Sequence, residues 1–340
     1  MKKILIYIVC ILIISSCKTR SDNQGAKERN LVVYTGEPFM SQSLWTGFEY
    51  FEARYDCNVV IENFSDGWEV LKRIKSEGDS SQVDVICNIN SALVNEALET
   101  GLFKTYKSDK LKFVDRKFCF DKSNHFTPYA YGYLGFLYDS ERIKEPPRNY
   151  GELQDNQWDD CIIMPDPITT AIGRAFLYQT AAQFGRNGFR YLWKGISENI
   201  RIFCKSYDDA YKRLLAEEGC MLPAYTSMPV FHQETSQTNR YRVIVFEEGS
   251  YIDTENVGIM SSSNKSGLAQ RFVDYLLSTE FQKRIALNKW MYPVNRNVKI
   301  GEEFADIEEV TADRESKLSY FLVKKEENIW LKKIEKTLGR

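Results

Sequence analysis

From residue 31 onward the chain alternates short aliphatic runs with longer stretches whose apolar residues recur every three or four positions. Residues 31–34 read as a strand, after which Leu44, Phe48, Phe51 and Tyr55 fall on one helical face. Two more strand-like runs, 59–61 and 83–86, lead into helical patterns carrying Val70, Leu71 and Ile74, then Leu93, Val94, Ala97 and Leu98. The last of these meets Gly101, a residue suited to end a helix. Three strand–helix units in series predict a parallel sheet. Residues 126–138 (FTPYAYGYLGFLY) are apolar, aromatic and punctuated by glycine, which predicts a long strand crossing between two lobes as a hinge. A second series follows. Residues 162–164 precede a helix through Ala175, Phe176 and Leu177, residues 202–204 precede one through Ala210 and Leu214, and 221–222 form a further strand. Residues 241–246 and 256–260 are expected as strands returning to the first lobe, and amphipathic helices are expected around Phe272, Phe281 and Trp330.

The first thirty residues change the picture. Met1-Lys2-Lys3, an apolar run over 4–14 and Ser15-Ser16-Cys17 have the form of an export signal. That run is shorter than the roughly 20 residues a bilayer span needs. The segment ending at Cys17 resembles a bacterial lipobox, which implies a signal peptide over 1–16 and an acylated Cys17. Residues 17–30 lack core-forming side chains and read as a tether. About 310 residues remain, more than a single core usually supports. The expected fold is therefore α/β with two lobes, each a mixed, mainly parallel sheet flanked by helices, and a ligand cleft between them. The expected boundaries are 31–125 plus 246–290 for lobe 1, 126–138 for the hinge strand, and 139–245 plus 291–340 for lobe 2.

Charge removes some partners. The 45 basic and 47 acidic residues are interspersed and sum to −2, which leaves no electrostatic footprint for nucleic acid. A monomer acting on a small molecule is expected. The two histidines, His125 and His232, are too distant in sequence to suggest a metal centre, and no cysteine has a recognisable base partner. Cys57, Cys87, Cys119, Cys161, Cys204 and Cys220 are widely spaced, and those beside strand-like runs (Cys87, Cys161, Cys204) read as small buried hydrophobes.

Thirteen residues carry the candidate chemistry: Tyr34, Asp66, Asn88, Asn90, Asp166, Thr169, Thr170, Ser206, Tyr207, Tyr225, Thr226, Ser227 and Tyr292. Nearly all closely follow a predicted strand, where open α/β sheets bind ligands. Aromatic rings, neutral hydroxyls and two acids suit an aromatic, partly polar, cationic small molecule. Each has a plainer alternative. Thr169 or Thr170 can cap the following helix instead of seating an anion, Asp66 with Glu69 has the form of a capping box, and Ser206 with Asp209 is similar. The aromatics, including Trp290, can be ordinary core.

Three segments resemble one family. Val33-Tyr34-Thr35, the stretch from Phe126 to Tyr133 with Tyr138-Asp139, and Asn288-Lys289-Trp290-Met291-Tyr292-Pro293-Val294-Asn295 together resemble the periplasmic thiamine-binding proteins of bacterial ABC importers, nearly collinearly over 31–297. Asp66-Gly67, Asp166-Pro167 with Thr169-Thr170, and Tyr225-Thr226-Ser227-Met228-Pro229 add to it. The resemblance implies a type II periplasmic binding-protein fold that closes over thiamine, thiamine monophosphate or thiamine diphosphate and delivers it to a permease and an ATPase, without catalysis or cofactor. It implies that Tyr34, Tyr207, Tyr225, Trp290 and Tyr292 surround the rings, that Asp66 and Gly67 contact one ring system, and that Thr169 and Thr170 hold the alcohol or phosphate end. Asn90 and Ala171 depart from the family pattern, the first removing a countercharge and the second a phosphate donor. A receptor for a polyamine or ferric ion, or a thiaminase-like enzyme, is the alternative.

Overall fold

The computed structural model describes residues 29–339 apart from 37, 308, 309, 312 and 317, so the expected signal, Cys17 and nearly all of the tether lie outside it. Strands β1 (Asn30–Thr35), β2 (Asn58–Asn63) and β3 (Val85–Asn90) pair in parallel, with β1 between the other two. Helices α1 (Glu49–Tyr55), α2 (Gly67–Glu77) and α3 (Val94–Glu99) connect or follow them. Gly101 lies just past α3 at φ +67°, a conformation that glycine adopts without steric cost.

After the short β4 (Phe103–Lys104), strand β5 (Phe126–Asp139) runs for 14 residues and is shared by two sheets. The second contains β6 (Ile162–Pro165), the long helix α4 (Ala171–Glu198), β7 (Ile200–Cys204), α5 (Tyr207–Leu215), β8 (Met221–Tyr225), α6 (Met228–Ser236) and β9 (Tyr241–Ile244). Helix α4 is interrupted at Gly185, whose φ of 70° takes it off the helical path. The chain then returns through β10 (Ile252–Met260), α7 (Ser266–Leu276), α8 (Thr279–Lys289) and β11 (Tyr292–Pro293), and ends on α9 (Tyr320–Thr337).

The strand order is β2-β1-β3-β10-β5 in one lobe and β5-β8-β6-β7 in the other. β10 lies antiparallel between β3 and β5, as a strand returning to the first lobe should. The expectation for 241–246 is corrected. β9 pairs antiparallel with Phe136–Asp139 and stays in the second sheet, because the far half of β5 offers it an edge there. β11 pairs with Tyr131 and Ala130 and carries the first sheet past residue 290, the boundary expected above.

Cys161 is not a free buried thiol. It is bonded to Cys220 across a Cα–Cα distance of 5.0 Å. Each stands immediately before a strand, and those two strands, β6 and β8, are parallel neighbours whose first residues, Ile162 and Met221, pair. A strand order that departs from chain order brought together two cysteines 59 residues apart.

Candidate functional site

Where the two sheets approach, strand ends and helix starts from both lobes line a cleft with a cavity volume of ≈ 60 Å³. The first lobe contributes Asp66 and Gly67 at the start of α2 and Asn88 of β3. The second contributes Ala171 and Ile172 of α4, Tyr207 of α5, Tyr225 of β8 and Met228 of α6. Glu255 of β10, Lys289 at the end of α8, Trp290 and Met291 complete the wall.

The first-lobe corner is tightly built. A Cβ added to Gly67 would lie 2.1 Å from the Asn88 carbonyl oxygen, and one on Gly36 would lie 2.0 Å from the Asp66 carbonyl carbon. The Asn88 amide donates to the Gly36 carbonyl, so β1, β3 and the start of α2 form one unit around Asp66. Asp66 caps its helix and also reaches the cavity. Its Oδ1 accepts from the Glu69 amide at 3.0 Å, capping α2, while its side chain lines the cavity. Burial pushes its carboxyl up to about 6, against the amides of Glu69, Ala171 and Trp68, which pull it down. Among the described residues its Oδ2 has no hydrogen-bond partner. The hydroxyl of buried Tyr207 likewise has none among them. Buried polar atoms in this state are rare, and here two belong to residues lining one cavity.

Trp290 caps the end of α8 at φ 58°, a left-handed conformation that costs a non-glycine residue. Its carbonyl accepts from Ser227 Oγ at 2.5 Å and its ring meets Phe231 edge-on at 5.2 Å. Asn88, at φ 63°, is a second such residue on the cavity wall. Strain retained at two lining positions points to function.

Lys289 and Glu255 escaped the sequence reading. Lys289 Nζ is buried, donates to Asn88 Oδ1 at 3.1 Å and stands 4.0 Å from Glu255 Oε1. Lys289 reads as an ordinary exposed end of an amphipathic helix, and Glu255 as one acid of a mixed strand. Nothing local marks either residue.

The sequence-named residues divide. Asp66, Gly67, Tyr207, Tyr225 and Trp290 come together around the cavity. Tyr34 does not. It lies within β1, and its ring packs on Phe64 at 5.1 Å while its hydroxyl donates to Glu77. Tyr292 is drawn into β11, where it stacks on Tyr131 at 5.2 Å and touches Phe304. Thr170 takes its plainer role: its hydroxyl accepts from the Gly173 amide and donates to the Asp166 carbonyl, capping α4. Thr169 sits beside it off the cavity wall, its hydroxyl without a partner among the described residues. Ser206 caps α5 through the Asp209 amide. Asn90 lies behind the wall, donating to Asp253 at 2.8 Å and to the Ala171 carbonyl at 3.2 Å.

Polar contacts join the lobes beside this cavity. Buried Arg174 of α4 donates to Glu96 of α3 at 2.6 Å and lies 4.3 Å from the centre of the Trp68 ring. One turn along α4, the Tyr178 hydroxyl donates to Glu327 of α9, which also accepts from Asn95 of α3.

Residues 80–310 match the family model of bacterial extracellular solute-binding proteins. The chain is 29% identical over 279 residues to a thiamine-binding periplasmic protein of Brucella melitensis, covering 81% of each chain. It is 29% identical over 245 residues to the thiamine-binding periplasmic protein of Escherichia coli, over 72% of this chain and 74% of that one. A solved structure of a periplasmic thiamin binding protein superposes with a TM-score of 0.81 at 25% identity, over 92% of this chain and 96% of that one.

Proposed function

The chain belongs to the bacterial extracellular solute-binding proteins, and from that premise we propose that it is a receptor for thiamine or its phosphate esters, serving an ABC permease and ATPase. The observation that carries the reading is the interlobe cavity itself, with Tyr225 and Trp290 as aromatic walls and a buried Asp66 oxygen without a donor among the described residues. An aromatic face attracts a thiazolium cation by about 0.5–2 kcal/mol per contact. A buried carboxylate with a spare lone pair suits the amino group of the pyrimidine. The two lobes then close over the ligand by bending at β5 and β10. In this reading the chain is exported, acylated at Cys17 and works as a monomer in the periplasm or cell envelope.

Isothermal calorimetry with thiamine, its monophosphate and its diphosphate tests this reading directly. Micromolar or tighter binding of one of them supports it, and absence of binding to all three defeats it. Binding alone is proposed, with no bond made or broken. Base exchange between thiamine and an added amine, followed by mass spectrometry, would identify an enzyme instead.

Asp66 gives a prediction with a sign. A carboxyl raised from 3.8 to about 6 is protonated in the folded chain and ionised in the unfolded one between those values, so its ionisation costs stability as pH rises through that window. The cost at about pH 7 is on the order of 3 kcal/mol. Asp66→Asn, which keeps a good cap, is expected to raise the melting temperature of ligand-free protein at about pH 7 by roughly 5 °C. It is also expected to weaken thiamine binding and to abolish the rise of affinity with pH through about 6 that is expected of the native chain. Differential scanning calorimetry and titrations across pH measure both.

A further inference from the structure

Asp253 of β10 lies where the two lobes meet, with no exposed surface. Its carboxylate is fully occupied by donors. Oδ1 accepts from the Ser91 amide at 3.0 Å and the Ser91 hydroxyl at 2.6 Å, and Oδ2 accepts from Asn90 Nδ2 at 2.8 Å and the Tyr225 hydroxyl at 2.9 Å. Four donors on roughly four lone-pair sites match an ionised, acceptor-only carboxylate. Burial raises its pKa above the ordinary carboxylate value, and these same four bonds hold that rise down.

Two of the four donors belong to groups that shape the cavity. Tyr225 lines it directly, and its ring rests on Gly132 of β5, the residue paired with Asp253 across the ladder. A Cβ at Gly132 would lie 2.9 Å from the ring, so glycine is what lets the ring settle there. Asn90 carries its other hydrogen bond to Ala171, the first residue of α4 and also part of the wall. The carboxylate therefore ties a strand end of one lobe to a strand end and a helix start of the other.

We infer that Asp253 is a positioning residue of the cleft, fixing Tyr225 as an aromatic wall and holding a negative charge behind its ring so that the site favours a cation. This rests on the reading of the ligand as thiamine. A phenol that donates to a carboxylate carries more electron density in its ring, which strengthens the attraction of its face for positive charge. Burial and the adjacent Asp253 hold the Tyr225 phenol well above its ordinary pKa, so it remains a donor. The 2.8 Å contact between Asn90 and Asp253 joins an amide to an acid, and two carboxylates there would repel. The charge belongs at position 253, because an amide there would turn its N–H groups toward two of the four donors, and a carboxylate at position 90 could not donate to the Ala171 carbonyl.

Asp253→Asn and Tyr225→Phe, the second keeping the ring and removing only the hydroxyl that donates to Asp253, are compared with the native chain by calorimetry, using thiamine and an uncharged analogue whose thiazolium is replaced by a neutral aromatic ring. Melting temperatures are recorded for each. The inference expects D253N to lose about tenfold or more and Y225F about fivefold or more in thiamine affinity, with both losing less than about threefold for the neutral analogue. Equal losses for both probes overturn it, as does native thiamine affinity in Y225F. If D253N fails to fold, Y225F decides alone: a loss confined to thiamine supports the inference, and native affinity or equal losses for both probes overturn it. Absence of thiamine binding by the native chain overturns the receptor reading and this inference with it, whereas binding that D253N leaves unchanged overturns the inference alone.

Discussion

Replacing Trp290 by alanine is expected to weaken thiamine binding about a hundredfold, the equivalent of roughly 3 kcal/mol. The indole is held before any ligand arrives. Its backbone is fixed in the left-handed region at φ 58°, its carbonyl is tied to Ser227 in the other lobe, and its ring edge rests against Phe231. A ring immobilised in the free protein contributes its stacking and cation–π attraction without a further entropic cost at binding. Trp290→Ala also opens a buried space, so its melting temperature will fall. Trp290→Phe separates the effects by restoring a smaller ring on the same backbone, and should recover most of the lost affinity. Calorimetry of both variants below their melting temperatures provides the measurement. Thiamine affinity for Trp290→Ala within about threefold of native would remove the indole from the site.

Loss of the Cys161–Cys220 bond should produce the largest change in stability. The bond closes a loop between residues 59 apart, and constraint of the unfolded chain over such a loop is worth about 4 kcal/mol. It joins the starts of β6 and β8, and β8 ends in Tyr225 on the cavity wall. The bond lies at the opposite end of that strand from the ligand. A Cys161→Ser/Cys220→Ser variant is therefore expected to unfold at markedly lower denaturant concentration while binding thiamine within about threefold of native under mild conditions. Denaturant titrations of the native chain with and without reductant should reproduce the same gap. Coincident curves would show that the bond contributes nothing to stability.

Sequence periodicity identified elements wherever burial was one-sided and local. The strand–helix series of the first lobe, the long strand of 126–138 and the return through β10 were all legible, because alternation and 3.6-residue spacing are properties of a segment alone. Gly67 was named through the family resemblance and Trp290 as one aromatic among many, whereas Asp66, Tyr207 and Tyr225 were legible for a related reason. They stand at the ends of strands or the edges of helices, and α/β sheets gather those ends.

Other decisions needed the assembled chain. Tyr34 looked equivalent to Tyr225, yet it points at Phe64 and Glu77, because which face a strand residue presents depends on the neighbours that pair with it. Tyr292 was lost to β11, whose pairing partner lies some 160 positions earlier in β5. Lys289, Glu255 and Asp253 were invisible because a charged residue on a helix or strand reads as solvent-facing until another lobe covers it. The disulfide belongs with them, since nothing near Cys161 or Cys220 specifies that their strands will be neighbours. By itself, the sequence determined the series of strands and helices, the lobes they build and the strand ends that bear chemistry, because these follow from local periodicity. Only the tertiary structure decided which of those side chains share one cavity and which charges stand behind it, because that depends on pairings between residues far apart in the chain.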